Sequence, residues 1–170
     1  MHKQLAIREF HAFKTAELFA VFRHIYLTSD FMSDDFDRKF PGIEAFSNHH
    51  HSILRKHGSF ILIATLGERI VGYLILNKRE ASRLHHTADL NMGVAENFRN
   101  RGIGKTLLNA ALNKVKADGV IEIIYLMVRA DHTGAVKLYA NAGFEKIVRL
   151  EKDTKIGHEY YDGILMRRFV

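Results

Sequence analysis

The sequence predicts one α/β (α+β) domain that spans residues 1–170. The chain has 170 residues, of which 47% are hydrophobic, so it is long enough to bury a core within a single domain. Runs rich in β-branched and aromatic residues alternate with segments whose apolar residues recur at helical spacing. There is one proline, and no internal repeat or low-complexity linker divides the chain. We therefore expect one domain that contains both strands and helices.

The N-terminal third predicts a strand followed by two helices. The sequence IREF at 7–10 indicates a short strand, and Thr15 is a candidate N-cap for a helix with an apolar face. A polar, acidic stretch at 28–42 follows. A second helical pattern begins at Ile43, and Gly58 is expected to end that helix.

The middle of the chain predicts a hairpin and then a strand, a turn and a helix. FILIATLGERIVGYLIL contains two β-rich runs separated by Gly67-Glu68, which is a two-residue hairpin signal. A third β-rich run covers 84–94 and ends shortly before a glycine-containing turn. Apolar residues then repeat at helical spacing as far as Gly119.

The C-terminal third predicts a buried strand, a short helix and two more strands. IEIIYLMV at 121–128 is almost continuously apolar, which is typical of a strand buried on both faces. TGAVKLYANA predicts a short helix that Gly143 closes. FEKIVRL and EYYDGILMRRF predict the last two strands.

Composition excludes several classes of function. The absence of cysteine excludes a disulfide framework, a cysteine zinc site and a thiol nucleophile. No apolar run approaches the length of a membrane span, so we expect a cytoplasmic protein without a membrane partner. The net charge of +6 suits an anionic ligand, but the basic residues are scattered rather than gathered with aromatics on one face. We therefore expect no nucleic-acid partner.

Three adjacent histidines in NHHHS, at 48–52, suggest a metal site at first sight. Successive helical positions point about 100° apart, so these side chains cannot converge on one ion. We interpret them as surface or hinge histidines and expect no metal.

The stretch RNRGIGKTLL, at 99–108, favours an anion site. A P-loop would require glycine where Arg99 stands, and a Rossmann fingerprint would require glycine where Leu107 stands. The start of the following helix still offers free amides and a partial positive charge, and Arg99, Arg101 and Lys105 add cations. These features suit a pyrophosphate, and a plain strand-to-helix turn is the alternative.

Two motifs together resemble one family. Arg-x-x-Gly-x-Gly follows a strand that ends LNMGV, and HTGAVKLYANAGF lies about 40 residues later. In order and spacing they resemble the signatures of the GCN5-related N-acetyltransferases, the GNAT superfamily, over residues 88–144. The second signature has Asn-x-x-Ala-x-x-Leu-Tyr-x-x-x-Gly-Phe, so His132 replaces the family's asparagine.

The resemblance implies a mixed, mostly antiparallel sheet of about six to seven strands with about four helices, splayed between strands 4 and 5. It also implies acetyl-CoA as acyl donor, with the pantetheine along residues 92–94 and the diphosphate on the glycine turn. The implied cofactor-binding residues are Met92, Gly93, Val94, Arg99, Asn100, Arg101, Gly102, Ile103, Gly104, Lys105, Thr106, His132 and Tyr139. Because His132 departs from the pattern, a helix-start histidine in solvent is the alternative at that position.

The reaction that the resemblance implies is direct attack of a neutral amine on the acetyl carbonyl, through a tetrahedral intermediate. Tyr139 occupies the position of the family's tyrosine, whose phenol protonates the leaving thiolate or hydrogen-bonds its sulfur, and a packing role is the alternative. Asp89 is the candidate base, although the position at which some members carry glutamate is Ala88 here. Other candidate bases lie beside it or in the acidic stretch: His85, His86, Asp30, Asp34 and Asp35.

The acceptor is expected to be a small amine, an amino acid or a peptide N-terminus, since YYDGILMRR faintly resembles family members that act on amino acids. The aromatics of the N-terminal third either wall the acceptor pocket or pack the helices: Phe31, Phe36, Phe40 and Phe46. The nearby aspartates either attract a cationic amine or form a solvated loop. A non-catalytic acyl-CoA sensor is the alternative function, and a homodimer is left open.

Overall fold

The computed structural model describes residues 4–170. The strands are β1 (Leu5–Glu9), β2 (Phe60–Leu66), β3 (Arg69–Lys78), β4 (Thr87–Val94), β5 (Ile123–Arg129), β6 (Glu145–Ile156) and β7 (Glu159–Phe169). The helices are α1 (Thr15–Leu27), α2 (Phe36–Lys39), α3 (Ile43–Leu54), α4 (Ile103–Asp118) and α5 (Thr133–Asn141). None of the helices among these residues is long and apolar enough to cross a membrane.

The seven strands form one sheet in the order β1-β2-β3-β4-β5-β7-β6. All neighbours are antiparallel except β4 and β5, which run parallel. This pair is joined only where Thr87–Asp89 face Ile123–Tyr125. The rest of β4 therefore diverges from β5, and the expected mixed sheet with a splay at this place is confirmed.

The two faces of the sheet carry different cores. On one face α4 and α5 cover a mainly aliphatic core that includes Leu74, Leu107 and Leu126. On the other face α1, α2 and α3 cover a core rich in aromatic rings, including Phe22 and Phe46. We refer to them as the α4 face and the α1 face.

Several local predictions from the N-terminal third need correction. Thr15 is not an N-cap: it is the first residue of α1, Lys14 precedes the helix, and no side chain caps it among the described residues. α3 ends at Leu54, before Gly58, which instead occupies a left-handed conformation in the following turn. The acidic stretch contains the single-turn α2, because the Asp35 carboxylate accepts the N–H of Arg38 at 3.0 Å.

The interpretation of the NHHHS histidines as surface residues is wrong for His50. His49 and His51 are exposed, but His50 is only 1% exposed and lies in the aromatic core of the α1 face. Its ring contacts that of Phe46 at 4.0 Å between centroids, and its Nδ1–H donates to the Phe46 carbonyl at 2.7 Å. Burial lowers the pKa of His50 to about 4, so it is neutral at physiological pH.

Candidate active site

The glycine turn leads into α4 beside the splay. Asn100 and Gly102 both have left-handed backbones, with φ of 61° and 77°. Gly102 is the N-cap of α4, and no side chain of residues 4–170 bonds to the amides of its first turn. The Thr106 N–H and hydroxyl both donate to the Gly102 carbonyl, at 3.0 and 3.2 Å. The helix therefore begins with uncapped N–H groups, an arrangement that suits an anion.

Gly104 holds the start of α4 close to its neighbours. A Cβ at this position would lie 3.1 Å from the Met92 methyl group on β4 and 3.3 Å from a Leu138 methyl group on α5. The glycine thus permits α4, α5 and the diverging part of β4 to pack tightly together.

The two arginines of the turn have different environments. Arg99 is directed at backbone carbonyls, since it donates to Val94 at 3.1 Å and to Thr28 at 3.2 Å. Arg101 is exposed and its guanidinium lies 5.4 Å from the ring centre of Phe98. Arg99 therefore connects the turn to the ends of β4 and α1, whereas Arg101 remains on the surface of the turn.

Tyr139 lies on α5 within the core of the α4 face. It is 7% exposed, and its ring meets that of Phe144 edge-on at 5.8 Å. No hydrogen bond from the described residues contributes to the pKa of its hydroxyl. Burial raises the pKa of Tyr139 above its usual value. The phenol is therefore protonated at neutral pH and able to donate.

His132 is the N-cap of α5. Its Nδ1 accepts the N–H of Ala135 at 3.4 Å, and its ring stacks on Phe31 at 3.9 Å. Burial, followed by the nearby charge of Arg99, lowers the pKa of His132. The histidine is therefore a neutral capping group that also packs against the loop after α1.

A buried arginine at the end of β5 holds the same loop. The Arg129 side chain is 7% exposed and makes a two-point ion pair with Asp131, at 3.0 and 2.5 Å. Its guanidinium lies 3.7 Å from the ring centre of Tyr161 and 4.9 Å from that of Phe31. It also donates to the carbonyl of Asp30. Arg99 and Arg129 thus hold the loop at residues 28–31 from two sides.

The candidate base Asp89 is on β4, at the point where β4 and β5 separate. Its carboxylate is exposed and accepts two hydrogen bonds from Arg79, at 2.9 and 2.6 Å. Ala88 is fully buried and faces the opposite side of the strand. Asp89 therefore lies beside the splay but is already paired with a cation.

Three of the other candidate acids and histidines are also engaged, namely Asp34, Asp35 and His85. Asp34 pairs with Lys39 at 2.7 Å, and Asp35 caps α2. His85 Nε2 lies 2.7 Å from the Glu80 carbonyl. Within residues 4–170, no three His, Cys, Asp or Glu side chains are grouped so that they could hold a metal ion.

Comparison with known proteins decides the family. The model of the "Acetyltransferase (GNAT) family" matches residues 20–144, which is most of the chain. The chain belongs to the GNAT family of acetyltransferases. The enzyme class and the family suggested by the two motifs are thereby confirmed.

Relatives of this GNAT acetyltransferase act on amines. It is 28% identical over 116 residues to an N-alpha-acetyltransferase of Saccharolobus solfataricus, covering 64% of this chain and 70% of the relative. It is 28% identical over 107 residues to the L-amino acid N-acetyltransferase AaaT of Escherichia coli, covering 63% and 66%.

Solved structures show the same architecture. A GNAT acetyltransferase from Streptococcus pneumoniae superposes with a TM-score of 0.91 at 27% identity, covering 98% of this chain and 100% of the other. A phosphinothricin acetyltransferase from Sinorhizobium meliloti, in complex with AcCoA, superposes with a TM-score of 0.84 at 16% identity, covering 98% and 88%. At 16% identity, the similarity to the phosphinothricin acetyltransferase shows a shared fold and nothing more.

Sequence reasoning about this GNAT acetyltransferase missed Arg129. The residue ends an apolar strand, and its aromatic neighbours come from a loop and a strand that are distant in sequence. One signal was present: a lone arginine at the end of a strand that is otherwise buried needs a partner, and Asp131 stands two residues later.

Proposed function

We propose that the chain transfers the acetyl group of acetyl-CoA to the primary amine of a small molecule, an amino acid or a peptide, by direct attack in a ternary complex. The observation that carries this proposal is the uncapped start of α4 beside the β4–β5 splay, with the protonated Tyr139 on the α4 face. The names of the two relatives support an amine acceptor.

The residues around the splay fit acetyl-CoA. The amides of Ile103, Gly104 and Lys105 would receive the pyrophosphate, and Arg101 and Lys105 would add positive charge. The part of β4 that diverges from β5, residues 92–94, would accept the pantetheine as an added strand. When bound, acetyl-CoA supplies the acyl group as an activated thioester. Arg99 would hold the glycine turn in place, because its Nε and Nη2 groups donate to backbone carbonyls of Val94 and Thr28.

Tyr139 would donate its proton to the leaving sulfur, since burial raises the pKa of the phenol and keeps it protonated at neutral pH. The acceptor amine must arrive neutral, and removing a proton from an amine of pKa ~10.4 costs about 4 to 5 kcal/mol at pH 7. Asp89 is the candidate base. Because its carboxylate is paired with Arg79, a water molecule would carry the proton from the amine to Asp89.

The acceptor would bind on the α1 face, beside the loop at residues 28–31 that Arg99 and Arg129 hold. We further propose that the chain acts as one domain in the cytoplasm, on the sequence features given above.

A screen of thiol release from acetyl-CoA tests the function. Single amino acids, short peptides and polyamines would each be offered as the amine, and the acetylated product would be identified by mass. We expect release that depends on the amine, with one acetyl group gained per thiol. Binding of coenzyme A without release on any amine would instead favour a sensor.

A further inference from the structure

Tyr73, in the middle of β3, contains a buried hydroxyl without an evident purpose. The residue is completely buried, and its ring stacks on Phe22 with centroids 4.0 Å apart and an interplanar angle of 15°. No group of residues 4–170 meets hydrogen-bond geometry at its hydroxyl, and the Tyr26 side chain is a hydrogen-bonding group in its neighbourhood. A buried donor without a partner destabilises the fold, and phenylalanine would pack equally well without that cost.

The side chain of Tyr73 leans across β4 towards the splay. Tyr73 stands opposite Gly93 in the sheet, and a Cβ on Gly93 would lie only 3.0 Å from Cε1 of Tyr73. Neighbouring strands are about 4.8 Å apart, and a tyrosine side chain is longer than that. The edge of the Tyr73 ring therefore lies over Gly93, in the part of β4 that no longer pairs with β5.

A second tyrosine approaches the same region from the other face. Burial raises the pKa of Tyr73 well above its usual value, and the neighbouring Tyr26 and Tyr139 raise it further. Tyr73 belongs to the core of the α1 face, whereas Tyr139 belongs to the core of the α4 face. Tyr139 therefore lies within electrostatic range of Tyr73, on the opposite face of the sheet.

We propose that the Tyr73 hydroxyl donates a hydrogen bond to the acyl carbonyl oxygen of bound acetyl-CoA. The inference rests on the proposed function, which places the pantetheine along residues 92–94 and so brings the thioester to the splay. Gly93 lets β4 lie close against the Tyr73 ring, since a Cβ there would stand only 3.0 Å from Tyr73 and 2.7 Å from Ile25. A donor that is aimed in advance and shielded from water stabilises developing charge strongly.

Tyr73 keeps its proton throughout the chemical step. The amine nitrogen forms a bond to the acyl carbon, the carbon–sulfur bond breaks, and sulfur leaves with the electron pair and takes a proton from Tyr139. The proton that the amine loses passes to water, from which Tyr139 is restored. Tyr73 only stabilises the oxygen on which negative charge builds.

A flexible side chain lies beside Gly93. The Met32 methyl group lies 3.1 Å from the position of a Cβ on Gly93, and Met32 belongs to the loop after α1. Methionine has three rotatable bonds and adapts to a neighbour readily. The acyl group would displace it without moving the strands.

Tyr73→Phe tests the proposal, and Thr65→Val is its matched control. Thr65, on β2, contains another buried hydroxyl without a partner, and Val preserves its shape. We expect both variants to melt at or above the temperature of the parent, because each loses an unpaired buried group. We expect kcat to fall roughly 10²-fold in Tyr73→Phe alone, with KM for acetyl-CoA changed less than about 3-fold.

An infrared measurement provides a readout that does not need turnover. With acetyl-CoA labelled with ¹³C at the carbonyl, we expect the bound band of the parent to lie below its frequency in water. The band should return towards the water value in Tyr73→Phe and remain lowered in Thr65→Val.

Three results would overturn the inference: a parent band unchanged on binding, a Tyr73→Phe variant with parental turnover, or an equal loss of activity in both variants. A lowered band in a parent that acetylates no amine would contradict the proposed function and leave the Tyr73 contact supported.

Discussion

The two faces of the sheet differ in how their chemistry is built. On the α4 face, the features that fit the cofactor are main-chain amides at a helix start, glycines and one tyrosine, within an aliphatic core. On the α1 face, the features come from side chains that are far apart in sequence, within an aromatic core. Main-chain sites depend on short motifs, whereas side-chain sites depend on the tertiary structure. The predictions below test this division, from the largest expected effect to the smallest.

The largest effect is expected at Tyr139, on the α4 face. Tyr139→Phe keeps the ring against Phe144 and removes only the proton donor. We expect kcat to fall roughly 10²- to 10⁴-fold, with coenzyme A affinity little changed. Steady-state kinetics and calorimetry would measure the two quantities. Tyr160→Phe, at an exposed position on β7, is the control. Turnover within a few-fold of the parent, under conditions where chemistry limits the rate, would leave Tyr139 as a packing residue.

On the α1 face, Arg129→Met should weaken the binding of the acceptor amine. The change removes the ion pair to Asp131 and the bond to the Asp30 carbonyl, and it keeps much of the apolar length. We expect the free energy of unfolding to fall by about 2 to 3 kcal/mol. The KM for the amine should rise more than the KM for acetyl-CoA.

The control for Arg129 is Arg149→Met, since Arg149 makes an exposed pair with Asp162. Exposed pairs contribute about 0 to 1 kcal/mol. Equal rises in both KM values in Arg129→Met would show that the loop at residues 28–31 serves both substrates, against the division proposed here.

Acid should destabilise the α1 face through His50. Its folded pKa of about 4 lies below the ordinary value of 6.5, so the unfolded chain binds more protons between these values. Stability is therefore complete above pH ~6.5 and is lost as the pH falls towards 4, by about 2 kcal/mol between pH 7 and 5. Burial also lowers the pKa of His49, which adds in the same direction.

Urea unfolding at pH 7 and pH 5 measures this loss. His50→Leu should remove most of it, whereas the control His51→Leu, at an exposed position of the same helix, should retain it. The same pH dependence in His50→Leu and the parent would show that His50 does not cause the loss of stability in acid.

The smallest effect separates the two arginines of the glycine turn. Arg101→Ala should reduce coenzyme A affinity by about 1 to 2 kcal/mol, because a charge-assisted contact is lost while the amides remain. Arg99→Ala should lower stability and amine binding instead, since its bonds go to Thr28 and Val94. Calorimetry with coenzyme A, beside melting curves, would distinguish them. Equal losses of affinity would mean that Arg99 turns towards the phosphate.

The sequence predicted the α4 face well because local patterns determine it. The end of α4 at Gly119 and the hairpin at Gly67-Glu68 follow from turn chemistry that acts within a few residues. The enzyme class followed from two motifs. The residues assigned to acetyl-CoA and Tyr139 as proton donor are still predictions.

The α1 face was harder to predict for a physical reason. Phe46 and His50 are four residues apart, so the helical pattern that placed Phe46 in the core also indicated burial of His50. Because His49 and His51 stand on either side of His50, the three histidines looked alike and the burial of His50 was overlooked. The aromatic partners of Arg129 could not be found by any local pattern, because Phe31 and Tyr161 reach it from distant parts of the chain.

Amide hydrogen exchange with and without coenzyme A tests most directly whether the cofactor belongs to the α4 side of the splay. We expect slower exchange in residues 92–94 and 103–106, where amides would gain partners, and unchanged exchange across α3 and β1. Protection concentrated on α3 and β1, or no protection at 103–106 with coenzyme A saturating, would contradict the account.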